Sequence, residues 1–316
     1  MIGNQKKLLK RDYNKVGLTI LSQQVLLYIF SFVIIFVAAV AFFIFNPYAN
    51  NDQYMDYINK VAFSGTYMIL AVMGAFFPVF ILRGKKFFTY DIKEKNKPIT
   101  LKVILASSII ILTCNFFMGY LTDIFEFLLN KIGYTSLEAM EYFDNNDSKS
   151  MIFYVMFVAP VMEELFFRGA ILRHLEKHGA KFAIIASAVM FGFMHGNIVQ
   201  IPNGIIAGII LGYLAKEYSL KLSIIIHMIN NIYAQGLTIL SKKLSENVLG
   251  LIILSLIISF IIFTIIWIIR NKNNIRIWLQ NNKIQKGRIK YFFTSITIII
   301  TIIMNIVLSI FSISKL

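Results

Sequence analysis

Long apolar stretches, separated by short polar and charged ones, occupy most of the 316-residue chain. A helix needs about 20 apolar residues to cross a bilayer, and a spanning segment must satisfy its own backbone hydrogen bonds. The pattern predicts an all-α, polytopic membrane helix bundle of about nine transmembrane helices, or eight if the short sixth segment does not span. The predicted segments are Gln24–Phe45, Ala62–Leu82, Val103–Leu121, Met151–Leu172, Phe182–Val199, Gly204–Ala215, Leu222–Leu240, Val248–Ile269 and Tyr291–Ile313.

Composition supports a membrane protein and excludes several other classes. The chain is 58% hydrophobic and 15% charged, whereas soluble domains are about 25% charged. A soluble enzyme, a disordered protein and a DNA-binding domain are therefore excluded, and no soluble domain is predicted. The longest polar stretch, Thr122–Ser150, is interpreted as an acidic outer loop. Abundant Ile, Asn and Lys are typical of an AT-rich bacterial genome, so we expect a bacterial cell-membrane protein.

The net charge of +15 reflects topology when the basic residues are placed along the chain. With a cytoplasmic N-terminus, 25 of the 31 basic residues fall in predicted cytoplasmic segments, as the positive-inside rule expects. We expect these residues to contact anionic membrane lipids, and no nucleic acid partner is predicted. Nine acidic residues fall on the opposite side: Asp52, Asp56, Asp123, Glu126, Glu138, Glu141, Asp144, Asp147 and Glu246.

Three charged residues interrupt the apolar segment Met151–Leu172. A charge at the bilayer centre costs about 2.5–3.5 kcal/mol on insertion scales, so such residues are usually paired or functional. Glu164 and Arg168 are spaced i, i+4 with the acid first, which is the favourable order for an ion pair. Glu163 points about 100° away around the helix and has no partner within it. Pro160 lies one turn earlier and weakens the backbone ladder there.

Polar residues also recur at helical spacing in the fifth and seventh segments. His195 follows Phe191 by four residues, and Asn231 follows His227 by four. The second pair has two interpretations, an interhelical hydrogen bond or a part of a site, and Asn230 could share either role. If these groups meet Glu163 in one cavity, a carboxylate and an imidazole can activate water. A second histidine and an amide can donate hydrogen bonds to a tetrahedral oxyanion, and each such donor stabilises the transition state by about 2.7–4 kcal/mol.

Two other patterns have simpler interpretations. His174 and His178 follow the fourth segment among basic residues and are interpreted as interfacial. Gly204, Gly208 and Gly212 recur every four residues, which predicts a stripe that allows close packing of another helix.

Three motifs in this order resemble a known family: EExxxR at Glu163–Arg168, FxxxH at Phe191–His195 and HxxxN at His227–Asn231. The resemblance is to the CPBP family, the CaaX proteases and bacteriocin-processing enzymes also called Abi, and it covers Met151–Leu240. It implies an intramembrane endopeptidase acting on a peptide or membrane protein. The catalytic residues it implies are Glu163 and His195 for water activation, and His227 and Asn231 for the oxyanion hole. Glu164, Arg168 and Phe191 would support them.

The resemblance leaves the cofactor and the activity open. Two histidines and a glutamate can also bind zinc with a water as fourth ligand, so Glu163, His195 and His227 are the alternative metal ligands, although the metal-free glutamate type is favoured. The predicted regions are a three-helix N-terminal part with the acidic loop (1–150), a catalytic bundle (151–240) and C-terminal helices (241–316). One alternative is a non-catalytic bacteriocin-immunity or scaffold protein of the same fold. The other is a proton-coupled transporter, which the lack of internal symmetry disfavours.

Overall fold

The computed structural model describes residues 2–137 and 148–316. Four acidic residues of the predicted outer loop, Glu138, Glu141, Asp144 and Asp147, lie outside the described residues. The helices are α1 Ile2–Phe45, α2 Asn51–Ala62, α3 Gly65–Arg83, α4 Leu101–Asn130, α5 Lys149–His178, α6 Ala180–Phe193, α7 Gln200–Glu217, α8 Leu220–Ser241, α9 Glu246–Asn281, α10 Arg288–Phe293 and α11 Ile296–Phe311. Two short strands, β1 (Tyr134–Thr135) and β2 (Ser314–Lys315), pair antiparallel.

The all-α architecture is confirmed, but the count of nine spans is not. Within the described part of the chain, five helices are long and apolar enough to cross a membrane: α1, α3, α4, α5 and α9. Each of the nine predicted segments coincides with a helix, yet α6 and α11 have only 14 and 16 residues. Two predicted boundaries are wrong. Helix α4 runs to Asn130, so the start of the predicted loop is helical, and α6 ends at Phe193, short of the predicted Val199.

The five segments predicted to be cytoplasmic meet at one end of the bundle, which we call the basic end. Asp12 of α1 accepts a hydrogen bond from Lys177 at the end of α5 (2.8 Å). Lys216 at the end of α7 pairs with Glu176 at 2.6 Å. The loop between α3 and α4 and the long α9 join through Glu217, which binds Lys97 and accepts from Trp278. The grouping of these segments agrees with the predicted alternation of sides.

The opposite end contains the chain segments that were predicted to lie across the membrane from the basic end. Pairing of β1 with β2 places the C-terminal residues beside the segment that follows α4. Ser150 at the start of α5 accepts a hydrogen bond from the Gly65 N–H at the start of α3 (3.1 Å). The first and last thirds of the chain are thereby joined to the central helices at this end.

The glycine stripe of α7 packs closely against α6, as predicted. A Cβ atom at Gly204 would lie 2.9 Å from Gly192 Cα, and one at Gly208 would lie 2.9 Å from Ala188 Cα. Such distances are too short for real Cβ contacts, so both positions require glycine. The close approach matters for the site because α6 leads directly into the turn that carries His195.

His174 and His178, which were interpreted as interfacial residues, are held in protein contacts at the basic end. His174 is only 7% exposed, and both rings contact the Asp12 carboxylate, at 3.0 Å for His174 and 2.7 Å for His178. Arg288 of α10 lies 3.0 Å from the other ring nitrogen of His178. The helical extension of α1 beyond its apolar part covers these histidines, so they connect α1, α5 and α10.

Candidate active site

Helix α5 is irregular on both sides of its two glutamates. Two π-helical turns, Tyr154–Val158 and Phe167–Leu172, flank the α-helical segment Ala159–Phe166 that carries Glu163 and Glu164. Turns of this kind are rare and often occur at functional sites. They change the direction of the side chains on either side of the glutamates, and they change which backbone carbonyls have helical partners.

Pro160 leaves one of these carbonyls without a helical donor. The Ala159 N–H bonds to the Tyr154 carbonyl, five residues back, so the same pattern would pair residue 160 with Val155. Proline has no N–H to donate. The Asn231 side chain supplies the missing donor, with its Nδ2 atom 2.9 Å from the Val155 carbonyl oxygen. This proline in α5 therefore allows Asn231 of α8 to be anchored to α5.

Glu164 is completely buried and holds three partners. Arg168 donates to its Oε1 atom at 2.7 Å, which confirms the ion pair expected from their spacing. His227 Nδ1 lies 2.9 Å from the same oxygen, and the Ser223 hydroxyl lies 2.5 Å from Oε2. The sequence interpretation missed Ser223, although it precedes His227 by four residues on the same helical face. A carboxylate with these contacts is committed to holding α5 and α8 together.

Arg168 lies against the aromatic ring that connects the two catalytic histidine candidates. Its guanidinium carbon is 4.3 Å from the Phe191 ring centroid, a cation–π contact. The Phe191 ring meets the rings of His195 and His227 edge to face, with centroids 4.9 and 5.9 Å apart. Arg168 also donates to the Gly208 carbonyl of α7 at 3.3 Å. The Phe191 ring therefore contacts Arg168 and both histidines, and its supporting role stays a prediction.

Glu163 lies in a different environment from its neighbour. Its side chain is 38% exposed, and its Oε2 atom is 3.7 Å from His227 Nε2. It lines a cavity of about 190 Å³ together with His195, Phe191 and Tyr154. His227 reaches Glu163 from α8 but, like Asn231, is not among the residues that line this cavity. The four predicted catalytic residues are thus divided, with two on the cavity wall and two behind Glu163 on α8.

His195 lies in the turn after α6, not in the predicted helix. Its Nδ1 atom is 3.0 Å from the Phe191 carbonyl oxygen, so this nitrogen carries the proton and Nε2 has the lone pair. The turn needs glycine at position 196, where φ is +59°. Asn197 holds the turn by donating to the Ser136 carbonyl at 3.2 Å and accepting from the Val199 N–H at 3.0 Å. Sequence reasoning missed Asn197, whose only signal was its position two residues after His195.

His227 is also oriented by a hydrogen bond from Nδ1, in this case to the Glu164 carboxylate. Because Glu164 can only accept, Nδ1 donates, and Nε2 is the nitrogen that faces Glu163. Asn230 is not part of this arrangement. It accepts from Asn115 of α4 at 2.5 Å and contacts the Asn231 side chain at 3.4 Å. Asn230 therefore has the interhelical hydrogen-bonding role.

The alternative zinc ligands are divided between the cavity wall and α8. Among the described residues, no group of three His, Cys, Asp or Glu side chains is arranged to hold a metal ion. Glu163 and His195 share the cavity, but His227 uses Nδ1 for Glu164 and approaches Glu163 from the other side.

Residues 145–233 match the family model described as "Type II CAAX prenyl endopeptidase Rce1-like". This segment is an Rce1-like domain of the CPBP family. No curated protein and no solved structure gives a significant match. At the level of the family, the Rce1-like domain supports a membrane-embedded protease. The matched segment contains Glu163, His195, His227 and Asn231, whereas α1, α9 and α11 lie outside it.

Proposed function

We propose that this protein is an intramembrane endopeptidase that hydrolyses a peptide bond in a membrane-associated peptide or protein. The supporting observation is that two adjacent glutamates have different environments. Glu164 is buried by Arg168, His227 and Ser223, whereas Glu163 faces the cavity without a partner in its own helix. A carboxylate in that position is available to take a proton from water.

The charges around Glu163 favour this reaction. Glu163 and Glu164 contribute two negative charges and Arg168 contributes one positive charge, with the His227 ring between the two carboxylates. When Glu163 takes a proton, the cluster gains one positive charge. That charge offsets the negative charge that develops on the substrate oxygen, and offsetting it is most valuable in a low-dielectric site.

The proposed steps balance in protons and bonds. The water oxygen attacks the substrate carbonyl carbon as Glu163 takes one of its protons, with His195 Nε2 accepting the other hydrogen bond of that water. We assign the oxyanion hole to the second N–H of Asn231 and to His227 Nε2, in a form of the ring that carries protons on both nitrogens. The substrate carbonyl then has to reach past Glu163 to α8. Glu163 then gives its proton to the amide nitrogen as the carbon–nitrogen bond breaks. A carboxylic acid and an amine leave, and Glu163 returns to its charged form.

The description of the matched domain suggests the first substrate to test. A quenched peptide that ends in a farnesylated CaaX sequence, and the same peptide without the prenyl group, are incubated with protein in nanodiscs, and products are identified by mass spectrometry. We expect the wild-type protein to cleave at least one of them and Glu163→Gln to cleave neither. Glu217→Gln, which removes a carboxylate at the basic end, is the matched control. Cleavage that persists in Glu163→Gln, or no cleavage by the wild type, would reject the proposal.

A further inference from the structure

The cavity beside Glu163 has a wall from outside the Rce1-like domain. Gln23 and Leu27, four residues apart on α1, line it opposite the residues of α5 and α6. Glu163 and His195 line the same space. Gln23 therefore lines the same small cavity as the proposed water-activating residues, although nothing in the three motifs points to α1.

The side-chain oxygen of Gln23 is buried and unpartnered. Its Oε1 atom accepts no hydrogen bond from any residue that the structure describes. The next residue shows the contrast, because Gln24 exchanges hydrogen bonds with Asn305 of α11 at 2.9 and 3.3 Å. A buried acceptor without a donor is unfavourable, and a ligand that supplies a donor at this cavity wall would satisfy it.

The cavity adjoins another one beside His195. A second cavity of about 390 Å³ lies between α1 and α11 and is lined by the Gln24 and Asn305 pair. Leu27, Met194 and His195 line both cavities. The two spaces therefore adjoin at these three side chains, and we call them together the groove. An extended peptide presents backbone N–H groups that each need an acceptor when buried.

We propose that Gln23 is a substrate-binding residue whose Oε1 atom accepts a hydrogen bond from a backbone N–H of an extended peptide in this groove. The proposal rests on the proposed function, since the peptide is the substrate of Glu163. It assigns α1 a direct part in substrate recognition. Gln23 transfers no proton, so its loss weakens peptide binding and leaves the chemical step intact.

Binding is measured on the Glu163→Gln background, so that the result does not depend on turnover. The probes are the fluorescent farnesylated CaaX peptide and a series of copies, each N-methylated at one backbone nitrogen. We expect Gln23→Leu to weaken binding of the parent peptide about 5- to 10-fold, the range of one neutral hydrogen bond, with an unchanged melting temperature. For one of the N-methylated copies, the affinity for the protein with Gln23 should be lower than that of the parent peptide by the same factor. The affinity of this copy should not fall further when Gln23 is replaced by Leu.

Two comparisons make the result specific. Gln24→Leu breaks the buried pair with Asn305 and should lower the melting temperature. Gln23→Met replaces Gln23→Leu if the latter expresses poorly. The proposal would be overturned if Gln23→Leu bound the parent peptide as tightly as the protein with Gln23. It would also be overturned if every N-methylated copy lost the same affinity for both proteins, or if no peptide bound at all. Failure of the proposed function is a separate result, namely binding without any cleavage by the wild-type protein.

Discussion

The Nδ1 atom of His227 lies 2.9 Å from Oε1 of Glu164. This contact sets the orientation of the ring and leaves Nε2 facing the neighbouring glutamate. The second glutamate of the EExxxR motif thus does more than neutralise Arg168, because it positions a histidine on another helix. Removing it should disturb both the stability of the bundle and the chemistry, whereas removing Glu163 should disturb the chemistry alone.

We expect substitutions of the two glutamates to differ in their effects on stability and activity. Glu163→Gln should fold and melt like the wild type and be inactive, because its side chain is partly exposed and its contact with His227 is long, at 3.7 Å. Glu164→Gln and Arg168→Ala should each lose stability as well as activity, since breaking a buried pair costs about 3–5 kcal/mol. Thermal melting in detergent and peptide cleavage measure the two effects. A stable, inactive Glu164→Gln beside an unstable Glu163→Gln would show that the roles are reversed.

Ser223 should contribute more to the free energy of unfolding than an ordinary buried serine does. Its hydroxyl lies 2.5 Å from Glu164 Oε2, and hydrogen bonds to charged groups contribute about 1.5–3 kcal/mol. Ser187→Ala is the matched control, because Ser187 is equally buried and donates only to the Phe167 carbonyl at 3.1 Å. We expect Ser223→Ala to lower the free energy of unfolding more than Ser187→Ala. Equal losses would mean that Glu164 does not depend on this hydroxyl.

Gly204 should be needed for the position of His195. A Cβ atom there would lie 3.1 Å from His195 Nδ1 and 2.9 Å from Gly192 Cα, so Gly204→Ala should push α6 and α7 apart and reduce cleavage strongly. Gly236→Ala in α8 is the control, because nothing lies within 4 Å of that site and alanine favours a helix by about 1 kcal/mol. Full activity of Gly204→Ala would show that the turn adjusts without cost to the site.

Activity should survive metal chelation. The Glu163, His195 and His227 side chains do not form a three-ligand group in the described residues, and the proposed steps use only their protons. Cleavage is measured after prolonged chelation and dialysis, with metal content determined in the same sample. Activity that disappears with bound zinc and returns when zinc is restored would establish the metalloenzyme instead.

Contacts within one helix were predictable from spacing, and contacts between helices were not. Glu164 and Arg168 pair because residues four apart on a helix are neighbours. The contact of Glu164 with His227 depends on α5 lying beside α8, which no spacing in either segment encodes. Gln23 was overlooked for the same reason, since it reaches the cavity only when α1 packs against α5.

The limits of the helices were misjudged where apolar content alone defined them. Helix α1 begins at Ile2, far before the apolar segment that starts at Gln24. The polar residues that precede this segment continue the same helix, so apolar content alone does not locate its start. That extension carries Asp12 over His174 and His178. In the other direction, α6 stops at Phe193 although apolar residues continue to Val199, since Gly196 and Asn197 form the turn that exposes His195.

Pro160 has no N–H to pair with the Val155 carbonyl, and the Asn231 side chain donates to that carbonyl instead. Pro160→Ala supplies a helical donor for that carbonyl and should release the Asn231 side chain. We expect a melting temperature that is unchanged or higher, because proline is about 3 kcal/mol less favourable than alanine inside a helix. We expect kcat to fall at least about 10-fold, since an oxyanion donor is displaced.

A double-mutant comparison separates this effect from a general change in α5. If Pro160 acts through Asn231, Asn231→Ala should lower kcat in the wild type and have little further effect in Pro160→Ala, because the two changes remove one interaction. Pro202→Ala is the control, since Pro202 lies in the first turn of α7, where an N–H has no helical acceptor. Losses of kcat that multiply in the double variant would mean that the proline and the asparagine act independently, and that the π-helical turn of α5 contributes to catalysis by another route.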